Sequence, residues 1–186
     1  MGRLVYLTNV SLDGRIEDAS GAFDWAPPDD EVFAATTALL GSFGTFLYGR
    51  RLYETMAVWE TDPALAGRSE LTAAFARAWR AAQKVVYSTT LATVHTAATR
   101  LERDFDPAAV RALKAAATRD LTIGGAALAA RAFAAHLVDE CRLLVWPVVL
   151  GGGKPAFPAG LRAGLELLDQ ERFGNGVLSL RYRVRT

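Results

Sequence analysis

Apolar positions along this chain recur with two different periods, and the periods alternate. Leu4-Val5-Tyr6-Leu7-Thr8-Asn9-Val10 is rich in strand formers and ends at the turn Asp13-Gly14. Residues 11–28 form a long connection containing Gly14, Gly21, Pro27 and Pro28. Connections of that length inside a compact fold are binding loops or disordered segments. Pro28-Asp29-Asp30-Glu31 predicts a helix start, with acidic groups at the positive end of the helix dipole. Val32, Phe33, Thr36, Leu39, Leu40 and Phe43 follow at helical spacing. Thr45-Phe46-Leu47-Tyr48 predicts a short buried strand stopping at Gly49. A helix resumes from Arg50 to about Val58, with Leu52, Met56 and Trp59 on one side.

Ser69 predicts the N-cap of another helix, which carries Leu71, Phe75, Ala78 and Ala82. Lys84 to Ser88 is the next strand. Asp106-Pro107 starts a helix with Val110, Leu113 and Ala117 inward, and Leu121-Thr122-Ile123 closes on Gly124-Gly125 before an Ala-rich helix to His136. The last part of the chain changes character. Val138 to Leu150 is strand-rich until Gly151-Gly152-Gly153, and Leu178, Leu180, Tyr182 and Val184 alternate with Ser179, Arg181, Arg183 and Arg185. That period predicts an antiparallel strand with one buried and one solvated face. Strand–helix repeats followed by antiparallel strands imply an α/β fold, its central sheet mostly parallel with an antiparallel C-terminal portion. No repeat, low-complexity tract or linker divides the chain, so residues 1–186 are expected to form one domain.

Four predicted strand ends carry candidate chemistry, because ligands of open α/β sheets bind outside the carboxyl ends of strands. Gly49-Arg50-Arg51 places a glycine and two guanidinium groups at a strand-to-helix turn, an anion site in the making. Ser88-Thr89-Thr90 offers hydroxyls at the next strand end; the alternative is turn chemistry. Gly124-Gly125 before a helix serves either tight packing or close backbone approach to a diphosphate. Ser11-Leu12-Asp13-Gly14 adds a carboxylate that is either functional or a turn former. Three phosphate-competent sites in one chain suggest a ligand with several phosphates. Neither the GxGxxG fingerprint nor a P-loop lysine is present.

Composition narrows the classes. Hydrophobic residues are 51% and charged ones 22% of 186 residues, which excludes a disordered chain. Lys+Arg 21 against Asp+Glu 20 gives a formal charge of +1, so no global field recruits nucleic acid or an acidic membrane. The alternating Arg181, Arg183 and Arg185 lack interleaved aromatics and read as a solvated strand face. With one cysteine and two histidines, neither a disulfide framework nor a Cys/His zinc set is expected. Cys141 in mid-strand reads as a small buried side chain and His136 as a helix C-cap. Met1-Gly2-Arg3 runs directly into a strand, and the longest apolar run, Leu143 to Leu150, is far short of a membrane span. A cytoplasmic protein without a signal peptide is the expectation.

The order of the pieces resembles a family. Leu47-Tyr48-Gly49-Arg50-Arg51-Leu52-Tyr53-Glu54, Val85-Val86-Tyr87-Ser88-Thr89 and Ile123-Gly124-Gly125-Ala126 resemble the three cofactor segments of dihydrofolate reductase. Ser11-Leu12-Asp13-Gly14, Leu137-Val138-Asp139-Glu140-Cys141-Arg142-Leu143 and Pro147-Val148-Val149-Leu150-Gly151-Gly152-Gly153 resemble the reductase domain of the riboflavin-pathway bifunctional deaminase-reductase. The resemblance spans roughly residues 3 to 185. It implies a dihydrofolate-reductase-like three-layer α/β/α fold, bound NADPH, and hydride transfer to a pterin, pyrimidine or related heterocycle. Carried over by position, Gly49, Arg50 and Arg51 meet the cofactor phosphates. Ser88 and Thr89 lie near the adenosine 2′-phosphate, and Gly124, Gly125 and Ala126 line the diphosphate and nicotinamide. Relatives in the riboflavin group pair, so a homodimer is implied.

On the substrate side, Asp13, Asp29 and Asp30 are the candidate catalytic carboxylates, Asp29 and Asp30 matching an acid early in the corresponding dihydrofolate reductase helix. Acids at a helix start are also common as caps and dipole partners. Trp25 is a packing residue or a stacking surface. Two departures stand out. Leu52 replaces the threonine that usually follows the Gly-Arg pair in dihydrofolate reductase, and the stretch from Asp29 to Leu40 carries acids where the riboflavin-pathway domain is basic. Acidic groups there repel a phosphorylated substrate. A true dihydrofolate reductase and a non-catalytic protein on the same fold are the rival readings.

Overall fold

The computed structural model describes residues 1–185. Its frame is an eight-stranded sheet in the order β5-β4-β3-β6-β1-β7-β10-β9, formed by Thr99–Glu102 (β5), Gln83–Tyr87 (β4), Thr45–Gly49 (β3), Leu121–Gly124 (β6), Leu4–Ser11 (β1), Glu140–Trp146 (β7), Leu178–Arg185 (β10) and Gly164–Arg172 (β9). The first six strands are mutually parallel, and β10 and β9 join antiparallel beyond β7. The first strand of the chain therefore lies at the centre, Leu4 opposite Leu121 on one side and Tyr6 opposite Cys141 on the other.

Side chains of successive strand residues alternate between two covered faces. One face carries Leu4, Tyr6, Leu47, Val85, Leu121, Ile123 and Cys141 and packs on helices α5 (Pro107–Ala116) and α6 (Ala126–Ala134). The other carries Val5, Phe46, Tyr48 and Val86 under α1 (Asp30–Ser42), α2 (Arg50–Thr61) and α4 (Glu70–Ala81), with the one-turn α3 (Pro63–Ala66) between the last two. The result is the expected three-layer α/β/α arrangement, mostly parallel, with antiparallel C-terminal strands. Among the described residues, no helix is long and apolar enough to cross a membrane.

Lys84, a β4 residue 1% exposed, turns back to the end of α4, donating from Nζ to the carbonyls of Trp79 at 3.2 Å and Ala82 at 3.0 Å. It closes that helix terminus as a cation at the negative end of the dipole.

The structure revises several expected elements. The strand expected over 138–150 is only β7, because Pro147 cannot donate to the ladder. The long connection 11–28 contains β2 (Arg15–Glu17), paired antiparallel with β8 (Lys154–Pro155). β5 and β9 have no counterpart in the sequence pattern; both are sheet edges, where polar residues interrupt any hydrophobic alternation. The apolar face of β10 is only half-covered, Leu178 being 38% exposed, since β9 and β10 extend past the helices. Nor is the arginine row simply solvated: Arg181 binds the buried carboxylate of Glu140 at 2.8 Å, and Arg183 pairs with Glu166 at 3.0 Å. Cys141 is fully buried with its thiol pushed up to about 12, and His136 adopts the left-handed conformation of a C-cap at φ 53°.

Candidate active site

Strand order and helix placement locate the crevice. β3 and β6 are neighbours, Tyr48 opposite Gly124, yet the helices that follow them lie on opposite faces of the sheet. A switch of this kind opens the sheet at the carboxyl ends of its strands. Both helices begin there without a side-chain cap: Gly49 precedes α2 and Gly125 precedes α6. A Cβ on either glycine would meet nothing within 4 Å, so space is open beside both helix starts, and no side chain caps their first-turn amides. Gly125 has φ 88°, a conformation that side chains with a Cβ adopt only under strain. Gly124 differs. A Cβ there would overlap Cδ2 of Leu52, so its glycine serves the packing of α2 on β6. Ala126 is buried and presents only its backbone at the helix start.

The end of β4 supplies the next wall. Ser88 is 8% exposed, and its Oγ accepts from the amide of Leu91 at 2.9 Å and that of Thr90 at 3.3 Å. Its hydroxyl shapes the turn, and Thr89 and Thr90 are the exposed members of the trio. Arg50 reaches across from α2, donating from Nη1 to Thr90 Oγ1 at 3.2 Å. Arg103, which the sequence reading missed, clamps the same turn by donating to the carbonyls of Leu91 at 2.6 Å and Ser88 at 3.2 Å. Its place one residue beyond an edge strand that the pattern did not reveal is why it escaped notice. Arg51 points elsewhere, to Glu17 at 3.3 Å, while Lys154 approaches the same carboxylate at 3.6 Å. Arg51 thus ties α2 to the β2–β8 ribbon, and Gly153 is required in that ribbon because a Cβ would collide with the backbone oxygen of Glu17.

The three candidate carboxylates have different surroundings. Asp13 accepts from Ser11 Oγ at 2.7 Å and from the amides of Leu150 at 3.0 Å and Gly151 at 2.9 Å. The Ser11 hydroxyl and these amides hold its carboxyl down to about 2. Asp29 caps α1, its Oδ1 accepting from the Val32 amide at 2.9 Å. Asp30, in the first turn of that helix, is exposed. Glu31 accepts the Gly174 amide at 2.8 Å and fastens α1 to the β9–β10 connection. Trp25 packs with Val32, Leu144, Trp146, Phe173 and Val177, on the core side of its two readings. Among the described residues, no three His, Cys, Asp or Glu side chains converge as a metal site.

Comparisons with known proteins agree with this architecture. The uncharacterized protein YyaP of Bacillus subtilis (strain 168) is 31% identical over 188 residues, covering 97% of this chain and 94% of the relative. A solved structure from Shewanella sp. PV-4, assigned to riboflavin biosynthesis, superposes over the whole of both chains with a TM-score of 0.76 at 21% identity. RibD of Acinetobacter baumannii in its form 2 matches all of this chain with a TM-score of 0.71 at 16% identity; this chain spans 58% of that protein's length. The sequence model of the RibD C-terminal domain matches residues 3–179, and this chain is a member of that family.

Proposed function

We propose that this chain is an NADPH-dependent reductase that transfers a hydride to a pterin, a pyrimidine or a related heterocycle. The observation that carries the reading is the pair of uncapped helix starts at Gly49 and Gly125, facing one crevice from opposite sides of the sheet. Such amides suit a diphosphate, and the room around both glycines fits one. Gly49, Gly125 and the Ala126 backbone would hold the diphosphate, with Gly124 admitting the close packing behind it. Arg50 with Thr89 would hold the 2′-phosphate on the turn that Ser88 and Arg103 shape. Arg51 contributes positive potential from its place beside Glu17. Bound NADPH supplies the hydride from its nicotinamide ring.

The protein's remaining residues orient the acceptor and manage its proton. Asp13 and Asp29 are both held by hydrogen bonds within the chain, so Asp30, the third of these exposed carboxylates, is assigned the substrate contact. Asp29 sets the helix that carries it, and Asp13 fixes the 147–151 segment beside the crevice. With Asp29, Asp30 and Glu31 at one helix start, a neutral heterocycle suits the site better than a phosphorylated one. The setting we assign is the cytoplasm. A second copy of the chain is the partner assigned to Leu165, Leu167 and Leu178, which are 41%, 49% and 38% exposed on the same sheet edge. A dimer mass in solution that falls to a monomer in Leu167→Arg supports that pairing; a monomeric parent chain removes it.

Titration with NADPH and NADH by calorimetry tests the cofactor assignment. Micromolar NADPH binding, far weaker NADH binding and loss of the difference in Arg50→Ala are the expected results. No binding of either nucleotide leaves a non-catalytic shell.

A further inference from the structure

Within β1, Asn9 occupies a position where packing predicts an apolar side chain. β1 runs in the middle of the sheet, and its neighbours Val10 and Ser11 are buried, yet Asn9 is exposed. The reason lies in strand length. β6 pairs with β1 only as far as Tyr6 opposite Ile123, while β7 continues to Ser11 opposite Trp146. Beyond Tyr6, β1 is flanked on one side only. By alternation Asn9 shares the face of Val5, the one covered by α1 and α2. The first turn of α1 lies at the same end of this face, Val32 packing with Leu144 and Trp146 of β7.

The amide of Asn9 has a defined direction. Trp146, 6% exposed, donates Nε1–H to Asn9 Oδ1 at 3.1 Å. An indole N–H only donates, so the amide oxygen must face it and the NH2 group must face away. Among the described residues nothing accepts from Nδ2 of Asn9. The nearby hydroxyl cannot substitute for it: Ser11 Oγ donates to Asp13 and accepts the amide of Arg15 at 2.9 Å.

We propose that Asn9 is a specificity-determining residue whose Nδ2–H donates to a ring carbonyl of the substrate, with Trp146 as the positioning residue that fixes its orientation. The inference rests on the reductase reading and narrows it. The acceptor is a heterocycle with at least one carbonyl on the edge presented to β1, a lactam or uracil-like ring. An amino group at that place would set donor against donor.

The test uses the full chain saturated with NADPH and two matched probes, aminouracil and triaminopyrimidine, in which carbonyls are exchanged for amino groups. Calorimetry is expected to give about tenfold tighter binding of aminouracil, the scale of one hydrogen bond made or opposed. Asn9→Asp, which turns the donor into an acceptor, should reverse the order, and Asn9→Ala should bring the two probes to parity. Trp146→Phe keeps an aromatic ring and loses the N–H, so the preference should shrink while NADPH binding stays. If Asn9 merely satisfied Trp146, the variants would lose thermal stability and leave the preference as it was. That result overturns the proposal, as do equal affinities in the parent chain or binding of neither probe beside intact NADPH binding. Failure of the parent chain to bind NADPH removes the underlying reading as well and is seen separately, before any probe is added.

Discussion

The starts of α2 and α4 are made in opposite ways. α4 opens with Ser69 and Thr72 capping one another: the Thr72 amide donates to Ser69 Oγ at 3.1 Å and the Ser69 amide to Thr72 Oγ1 at 2.9 Å. α2 opens at Gly49 with no side chain capping its first amides. The other helices divide along the same line. Asp29, Asp62 and Asp106 cap α1, α3 and α5, while α6 starts bare at Gly125. The two bare starts are the two that follow the neighbouring strands β3 and β6. Gly49 has φ −77° and ψ 165°, backbone geometry that would accept a capping side chain, so its bareness is a choice of residue and not of conformation. A helix that ends in structure carries its own partner for the amides; these two leave room for one supplied from outside.

That contrast can be broken directly. Gly49→Asp should cap α2 and raise its stability by a few tenths of a kcal/mol. The same carboxylate would occupy the anion site and lower NADPH affinity by about a hundredfold. Opposite signs in thermal melting and calorimetry are the signature; a variant that binds NADPH like the parent chain would sink the phosphate assignment. Next in size, Ser69→Ala should cost about 1 kcal/mol of stability. Its NADPH affinity should stay unchanged, because that helix start is closed by its own side chains and leaves no amide for a phosphate.

The smallest effect concerns Asp13, which does for a loop what Ser69 does for a helix. Its carboxyl titrates at about 2, below its ordinary 3.8, so the contribution is complete above the ordinary range and is lost as pH falls toward 2. Amide exchange at Leu150 and Gly151, corrected for the intrinsic rate, should lose protection between pH 4 and 2. Asp13→Asn should flatten that dependence. Protection that persists at pH 2 would show that other contacts hold the segment.

Much of this was legible in the residues, for reasons that differ by element. Helix starts were readable where a short polar side chain announced them, at Asp29, Ser69 and Asp106, and strands where both faces are buried, as in Phe46-Leu47-Tyr48. The edge strands β5 and β9 were not, because one partner and partial burial leave polar residues free to intrude on the period. Gly124-Gly125 shows the limit within the site. Both glycines were visible, but only the position of Leu52 separates the one needed for packing from the one that opens onto the crevice. Lys84 was hidden for a related reason: its role depends on the end of a helix that the chain has just left.

The central place of β1 bears on how the chain is made. Leu4 must pair with Leu121 and Ser11 with Trp146, so during synthesis this strand has neither neighbour until Leu121 and the residues after it have been made. Hydrogen bonds from Gly2 to Lys114 and from Leu4 to Asp139, together with the Lys114–Asp139 ion pair, then join its beginning to segments made much later. Until that moment Leu4-Val5-Tyr6-Leu7 is an exposed apolar segment, a natural client for a chaperone during translation.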